Sequence, residues 1–295
     1  MPDEAGPSRP AATSRSFQIN KLHPVIGAEV VGVDLRKPVA LDIMRQIKQA
    51  WFDHTVVVFR DQDLTSDQQR EFAGNFGPIG QRLEPPSAAG QDAPKWKDLM
   101  LVSNDTDVEG NPIGALGQGE MWFHTDRCYV EKPHRATFLY AVKLPSEGGN
   151  TRFSSLCAAY QKLPQDTKRR FDDAVVLQGH QYSAGRRLDL SLPLKDIHHC
   201  RQPMVVTNPD SHRKGLYVSS QNTMWIEGME REESEAMLQQ LFEIVEDPAI
   251  IYEHEWRYGD LLMWDNLSCL HARTNWPKEQ ARTLRRCTVI GEKLM

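Results

Sequence analysis

From residue 121 onward the chain is a succession of short apolar runs separated by turn residues, and this rhythm constrains the fold more than any other feature. The runs are MWFHTD (121–126), ATFLYAVKL (136–144), TRFSSL (151–156), AVVLQGHQYS (174–183), PMVVTN (203–208), KGLYVSS (214–220), YEHEWRYGDLLMWDN (252–266) and RTLRRCTVIGEK (282–293). No helix alternates regularly with them, which disfavours a parallel Rossmann-type sheet and predicts a jelly-roll or barrel-like double sheet. Two helical inserts interrupt the series. CAAYQKLPQDTKRRFDD (157–173) is one, and EREESEAMLQQLFEIVED (230–247), with Met237, Leu241 and Val245 on one face, is the other. The expected class is mainly β with flanking helices.

The first third is mixed. AEVVGVDL (28–35) reads as a strand, LDIMRQIKQAWFDH (41–54) as an amphipathic helix and TVVVFRD (55–61) as a buried strand rich in β-branched residues. TSDQQREFAGNFG (65–77) starts on capping residues and stops at Gly77-Pro78, as a helix should. Residues 1–16, rich in Pro, Ser, Ala and Gly, predict a mobile tail, and 17–295 a single domain. Within it, 80–119 holds two Gly/Pro-rich stretches around a short strand, LMLVSND (99–105), the pattern of a lid or an interface loop.

Charge and composition remove several classes of function. The net charge is −5 with no Lys/Arg block, so the electrostatic footprint of a nucleic-acid binder is missing. No apolar run approaches the roughly 20 residues of a membrane span, and the first residues lack the apolar stretch of a secretory signal. A cytoplasmic protein acting on a small molecule is expected. The five cysteines are scattered, odd in number and without a CxxC, which argues against a disulfide framework or a zinc ribbon. His198-His199-Cys200 has no partner motif and reads as a solvated loop rather than a second metal site, and His134 and His180 read as ordinary strand residues.

The chemistry concentrates in FHTD. His124 and Asp126 are two residues apart, so on a strand they project from one face and can meet one ion. His271, after GDLLMWDNLSCL, is the best third ligand. Two histidines and a carboxylate on one side of an ion leave room for a cosubstrate and O2, the preference of non-haem Fe(II); zinc sites keep fewer open positions. Arg282 and Arg286 share a strand face, and two unpaired guanidinium groups turned inward would call for a carboxylate ligand. Thr151, after the Gly148-Gly149 turn, could add a hydroxyl.

Taken in order, IGAEVVGVDL (26–35), VVVFRDQDLTSDQQREFAGNFGPI (56–79), FHTD (123–126), LPSEGGNTRF (144–153), RKGLYV (213–218), GDLLMWDNLSCLH (259–271) and ARTLRRCTVIGEK (281–293) resemble the taurine dioxygenase family of Fe(II)/2-oxoglutarate enzymes, which includes phenoxyacetate herbicide dioxygenases. The resemblance implies a double-stranded β-helix core. It implies Fe(II) on His124, Asp126 and His271, the distal carboxylate of 2-oxoglutarate on Thr151 and Arg282, and Arg286 at the substrate. The implied reaction couples oxidative decarboxylation of 2-oxoglutarate by O2, with release of succinate and CO2, to hydroxylation of an unactivated C–H bond. Desaturation or carbon–heteroatom cleavage are alternative outcomes, and a homo-oligomer is implied.

The pattern departs from the family at the substrate pocket. FGPIGQRLEPPSAAG lacks the His and Tyr of taurine enzymes, Glu120 replaces an Asn, and Trp122 is shifted one place from the metal histidine. Asn222 takes the place of an aromatic in a substrate-facing segment. Glu120, Trp122, Asn222 and Arg286 are therefore the expected substrate contacts, and taurine is a doubtful substrate. Two other classes compete: a zinc hydrolase at the same triad, which would not need Arg282, and a non-catalytic jelly-roll binding protein.

Overall fold

The computed structural model describes residues 16–80, 99–116, 119–180, 188, 190 and 192–294. The expected tail, apart from residue 16, and positions 81–98 and 117–118 of the expected lid lie outside the described residues.

In chain order the first elements are β1 (Gln18–Lys21), β2 (Ala28–Val31), α1 (Leu41–His54), β3 (Val56–Phe59), α2 (Ser66–Gly74), β4 (Leu99–Ser103) and β5 (Ala115–Leu116). Then follow β6 (Met121–His124), β7 (His134–Lys143), β8 (Thr151–Ser155), α3 (Leu156–Lys162), α4 (Gln165–Phe171), β9 (Val175–His180), β10 (His198–Pro203), β11 (Val205–Thr207) and β12 (Lys214–Leu216). The last are β13 (Thr223–Ile226), α5 (Arg231–Val245), β14 (Ile251–His254), β15 (Leu261–Asp265), β16 (Cys269–Arg273) and β17 (Thr283–Ile290).

A large sheet runs β1-β2-β3-β15-β7-β17-β4-β5, and a smaller one runs β14-β8-β16-β6. Alternation along the strands explains how the large sheet is buried on both faces. Val56, Val58, Leu139, Ala141, Leu262, Trp264 and Leu284 meet Phe153 and Cys269 of the small sheet between the layers. Val57, Phe59, Phe138, Tyr140, Leu261 and Met263 point the other way, onto Met44, Ile47 and Trp51 of α1 and Phe72 of α2. This is the expected double sheet with flanking helices.

Local stops account for most departures from the sequence reading. The strand expected over 28–35 ends at Val31, where Gly32 has φ +84°. The single helix expected over 157–173 breaks into α3 and α4 at Leu163-Pro164, because proline cannot supply an interior helical N–H. The run 252–266 becomes two strands in different sheets, joined through a turn closed by the Asp260 N–H to Arg257 O bond. His198 and His199 are not in a loop: they open β10, which pairs antiparallel with β9. On α5 the buried stripe is Ser234, Leu238, Leu241, Phe242 and Val245, with Met237 at its margin. Among the described residues, no helix is long and apolar enough to cross a membrane.

Candidate active site

Strand pairing brings the two histidines together. β16 lies between β6 and β8, His271 is the direct cross-strand partner of His124, and their ring centroids are 4.1 Å apart. β6 ends at His124, so Asp126 stands in the following turn rather than on the strand; Arg127, at φ +58°, turns the backbone there. Ligand atoms of His124, Asp126 and His271 all lie within 4.8 Å of one another. The cluster is largely buried, and such a group could hold a metal ion.

The side chains are prepared for that task. His124 Nδ1 is 2.7 Å from Trp122 O, and donation to that carbonyl leaves Nε2 with its lone pair. His271 Nε2 lies 3.9 Å from Asp126 Oδ1, while its Nδ1 is buried with no hydrogen-bond partner among the described residues. Burial pushes both imidazoles below their ordinary range, so both are neutral electron-pair donors at neutral pH. Burial alone would raise the Asp126 carboxyl, but the Arg286 guanidinium outweighs it and holds the group ionised.

A second set of residues fixes Asp126. Thr137 Oγ1 donates to Asp126 Oδ2 at 2.5 Å, Asn266 Nδ2 donates to Thr137 Oγ1 at 2.9 Å, and Trp264 Nε1 donates to Asn266 Oδ1 at 2.9 Å. Asp265 braces the turn before His271, taking Asn208 Nδ2 at 2.6 Å and a contact with Arg135. Sequence reading assigned no role to Thr137, Asn266 or Asp265, although the WDN triplet sits inside the quoted motif.

The two arginines separate in role. Arg286 is not unpaired as expected: its Nη2 lies 2.6 Å from Asp126 Oδ1. Arg282 is the one without a counterion. It is 2% exposed, donates from Nε to Gly149 O at 2.9 Å and lies over the Trp276 ring at 5.3 Å. Among the described residues no carboxylate pairs with it. Burial, with repulsion from Arg273, pushes its pKa down to about 9, which still leaves a cation at neutral pH. Gly148 and Gly149 make this approach possible. Both have positive φ, and a Cβ would stand 2.3 Å from Asn275 O at Gly148 and 2.8 Å from Arg282 Cδ at Gly149. Thr151 is buried at the start of β8, and its Oγ1 accepts from Trp256 Nε1 at 3.0 Å.

The expected substrate residues are less uniform. Trp122 is 42% exposed beside the metal cluster, and Glu120 is exposed. Asn222 is buried; its amide donates to Gly179 O at 3.0 Å and its Oδ1 accepts from Ser219 Oγ at 3.4 Å. His180 stacks on Tyr129 at 4.5 Å.

A sequence profile of the taurine catabolism dioxygenase TauD, TfdA family matches residues 18–288. The chain is 31% identical over 291 residues to the (S)-phenoxypropionate/alpha-ketoglutarate-dioxygenase of Sphingobium herbicidovorans, covering 95% of this chain and 96% of the relative. It is 30% identical over 295 residues to the alpha-ketoglutarate-dependent 2,4-dichlorophenoxyacetate dioxygenase of Cupriavidus pinatubonensis, covering 95% and 100%. The crystal structure of AAD-2 in complex with Mn(II) and N-oxalylglycine superposes with a TM-score of 0.77 at 31% identity, covering 95% of this chain and all of that one. The chain belongs to the TauD, TfdA family and is an Fe(II)- and 2-oxoglutarate-dependent dioxygenase.

Proposed function

We propose that His124, Asp126 and His271 hold Fe(II), that Thr151 and Arg282 hold the distal carboxylate of 2-oxoglutarate, and that Arg286, with Trp122 and Glu120 at the rim, meets a small carboxylate-bearing aromatic ether. The observation that carries the cofactor assignment is Arg282, a buried cation without a carboxylate partner among the described residues, immediately before β17, the strand that brings Arg286 to Asp126. When bound, iron and 2-oxoglutarate supply the O2-dependent oxidising chemistry, with succinate and CO2 released as substrate is hydroxylated.

The remaining work belongs to the chain. Thr137 and Asn266 hold the Asp126 carboxylate in one orientation, so the metal site is formed before the metal arrives. Arg282 offers its planar fork to a carboxylate, and the apolar layer around Phe153 and Trp264 keeps bulk water away. Arg286 neutralises Asp126; were the carboxylate to hold a metal ion, the Arg286 guanidinium would be left for an anion. The aryloxy-acid choice is supported by the two relatives named for phenoxypropionate and 2,4-dichlorophenoxyacetate, and by the aromatic Trp122 beside the cluster.

The test is anaerobic addition of Fe(II) and then 2-oxoglutarate to metal-free protein, followed by visible absorption, with Arg282→Ala as control. A band that needs both components, and far more 2-oxoglutarate in the variant, is expected; succinate release with aryloxyacetates, alkyl sulfates and alkyl sulfonates then ranks substrates. A band insensitive to Arg282→Ala would refute the cofactor assignment, and preference for sulfonates the substrate class. We further propose that the enzyme works in the cytoplasm as a homo-oligomer. The cysteines, all free, suit a reducing compartment, and exposed Val108, Ile113 and Leu116 offer apolar contact surface. A monomer by sedimentation at micromolar concentration would overturn the second statement.

A further inference from the structure

Where β3 of the large sheet ends beside the turn from β14 into β15 lies a largely buried ionic group that the metal cluster does not use. Arg60 Nη1 lies 2.7 Å from Asp260 Oδ2, and that oxygen also takes the Arg257 N–H at 2.8 Å and faces His254 Nε2 at 3.1 Å. His254 Nδ1 faces Tyr252 Oη at 3.0 Å. Neither His254 nor Asp260 is exposed at all. Buried ion pairs are weak sources of stability, so their use calls for a local reason. The network anchors both ends of the turn between β14 and β15, and Trp256 stands on that turn. The His254 ring meets Trp256 edge-on, with centroids 4.7 Å apart and planes at 87°. Trp256 Nε1 in turn donates to Thr151 Oγ1 at 3.0 Å.

An indole N–H can only donate, whereas a threonine hydroxyl donates once and accepts twice. With an acceptor position filled by Trp256, Thr151 directs its own proton elsewhere. A carboxylate can only accept, so the hydroxyl is presented in the one polarity a carboxylate can use. We propose that Trp256 is a positioning residue that orients the Thr151 hydroxyl as a donor to the distal carboxylate of 2-oxoglutarate, held in place by the Arg60–Asp260–His254 group. This rests on the assignment of Thr151 and Arg282 to that carboxylate.

Trp256→Phe keeps an aromatic ring beside His254 and removes the donor. In anaerobic titrations of the Fe(II)-loaded protein with 2-oxoglutarate, we expect its dissociation constant to rise roughly two- to tenfold, the range of one net hydrogen bond. Fe(II) affinity and kcat at saturating 2-oxoglutarate should stay at wild-type values, while the melting temperature of metal-free protein should fall only by what one lost hydrogen bond explains. Thr151→Val should weaken 2-oxoglutarate as well, and Trp256→Phe should add nothing on that background. Binding of 2-oxopentanoate, which lacks the distal carboxylate, should be the same in wild type and Trp256→Phe. If Thr151→Val leaves 2-oxoglutarate affinity unchanged, the carboxylate assignment fails and this proposal with it. If Thr151→Val weakens binding but Trp256→Phe does not, or weakens it equally in the double variant or for 2-oxopentanoate, the assignment stands and the positioning role is overturned.

Discussion

Replacing Gly149 by alanine tests the link between backbone conformation and cofactor binding. Two separable costs arise. Gly149 has φ +66°, a left-handed conformation that costs an L-residue about 1 kcal/mol or slightly more. The added Cβ would also stand 2.8 Å from Arg282 Cδ and Nε, too close for any side chain that stays in place. Arg282 must then shift, and it is buried and tied to Gly149 O by its Nε–H at 2.9 Å. A hydrogen bond to a charged group contributes about 1.5–3 kcal/mol. The sum predicts a loss of about 2.5–4 kcal/mol of unfolding free energy in metal-free protein, read by urea denaturation, and at least a tenfold weaker 2-oxoglutarate titration. Gly148→Ala is the contrast: its Cβ would strike Asn275 O, a backbone atom, at 2.3 Å, so it should lose stability with the smaller effect on 2-oxoglutarate. If Gly149→Ala loses only the backbone cost of about 1 kcal/mol and binds 2-oxoglutarate like wild type, the close approach does not set the position of Arg282.

Other perturbations read other parts of the site. Thr137→Val removes the donor to Asp126 Oδ2 and should weaken Fe(II) roughly 10- to 100-fold in an anaerobic titration, with unchanged affinity counting against the orienting role. Arg286→Gln leaves the Asp126 carboxylate buried without its counterion, a loss of about 3 kcal/mol in the metal-free protein. Added Mn(II) should close most of that gap, because the ion replaces the guanidinium; a deficit equal with and without Mn(II) would refute this account. Burial holds His254 below its ordinary 6.5, against the opposing pull of Asp260. The unfolded chain therefore takes up a proton that the native one refuses, so this contribution is complete above 6.5 and is lost as pH falls below it. His254→Gln should flatten the fall in stability on the acid side, and an identical slope in the two proteins would refute it.

What could be read from the sequence was whatever lies within one element, and, through the ordered family motifs, which histidines and aspartate meet. The spacing of the strand runs predicted the double sheet. What could not be read was the remaining pairing between elements. The i, i+4 spacing of Arg286 and Arg282 says that they share a face, but not that the first finds Asp126 while the second finds the Gly149 carbonyl and the Trp276 ring. Likewise Asn222 sits where a substrate contact is plausible, and only the approach of Gly179 from β9 shows its amide to be occupied. The case of Arg60 and Asp260 carries this furthest, since the two are separated by most of the chain and meet only because β15 pairs with β3. Their neighbour His254 lies opposite Thr151 across the β14–β8 pair. The same register that builds the sheet therefore sets the buried charges behind Thr151. A register slip of one residue would send each side chain to the other face and undo both at once.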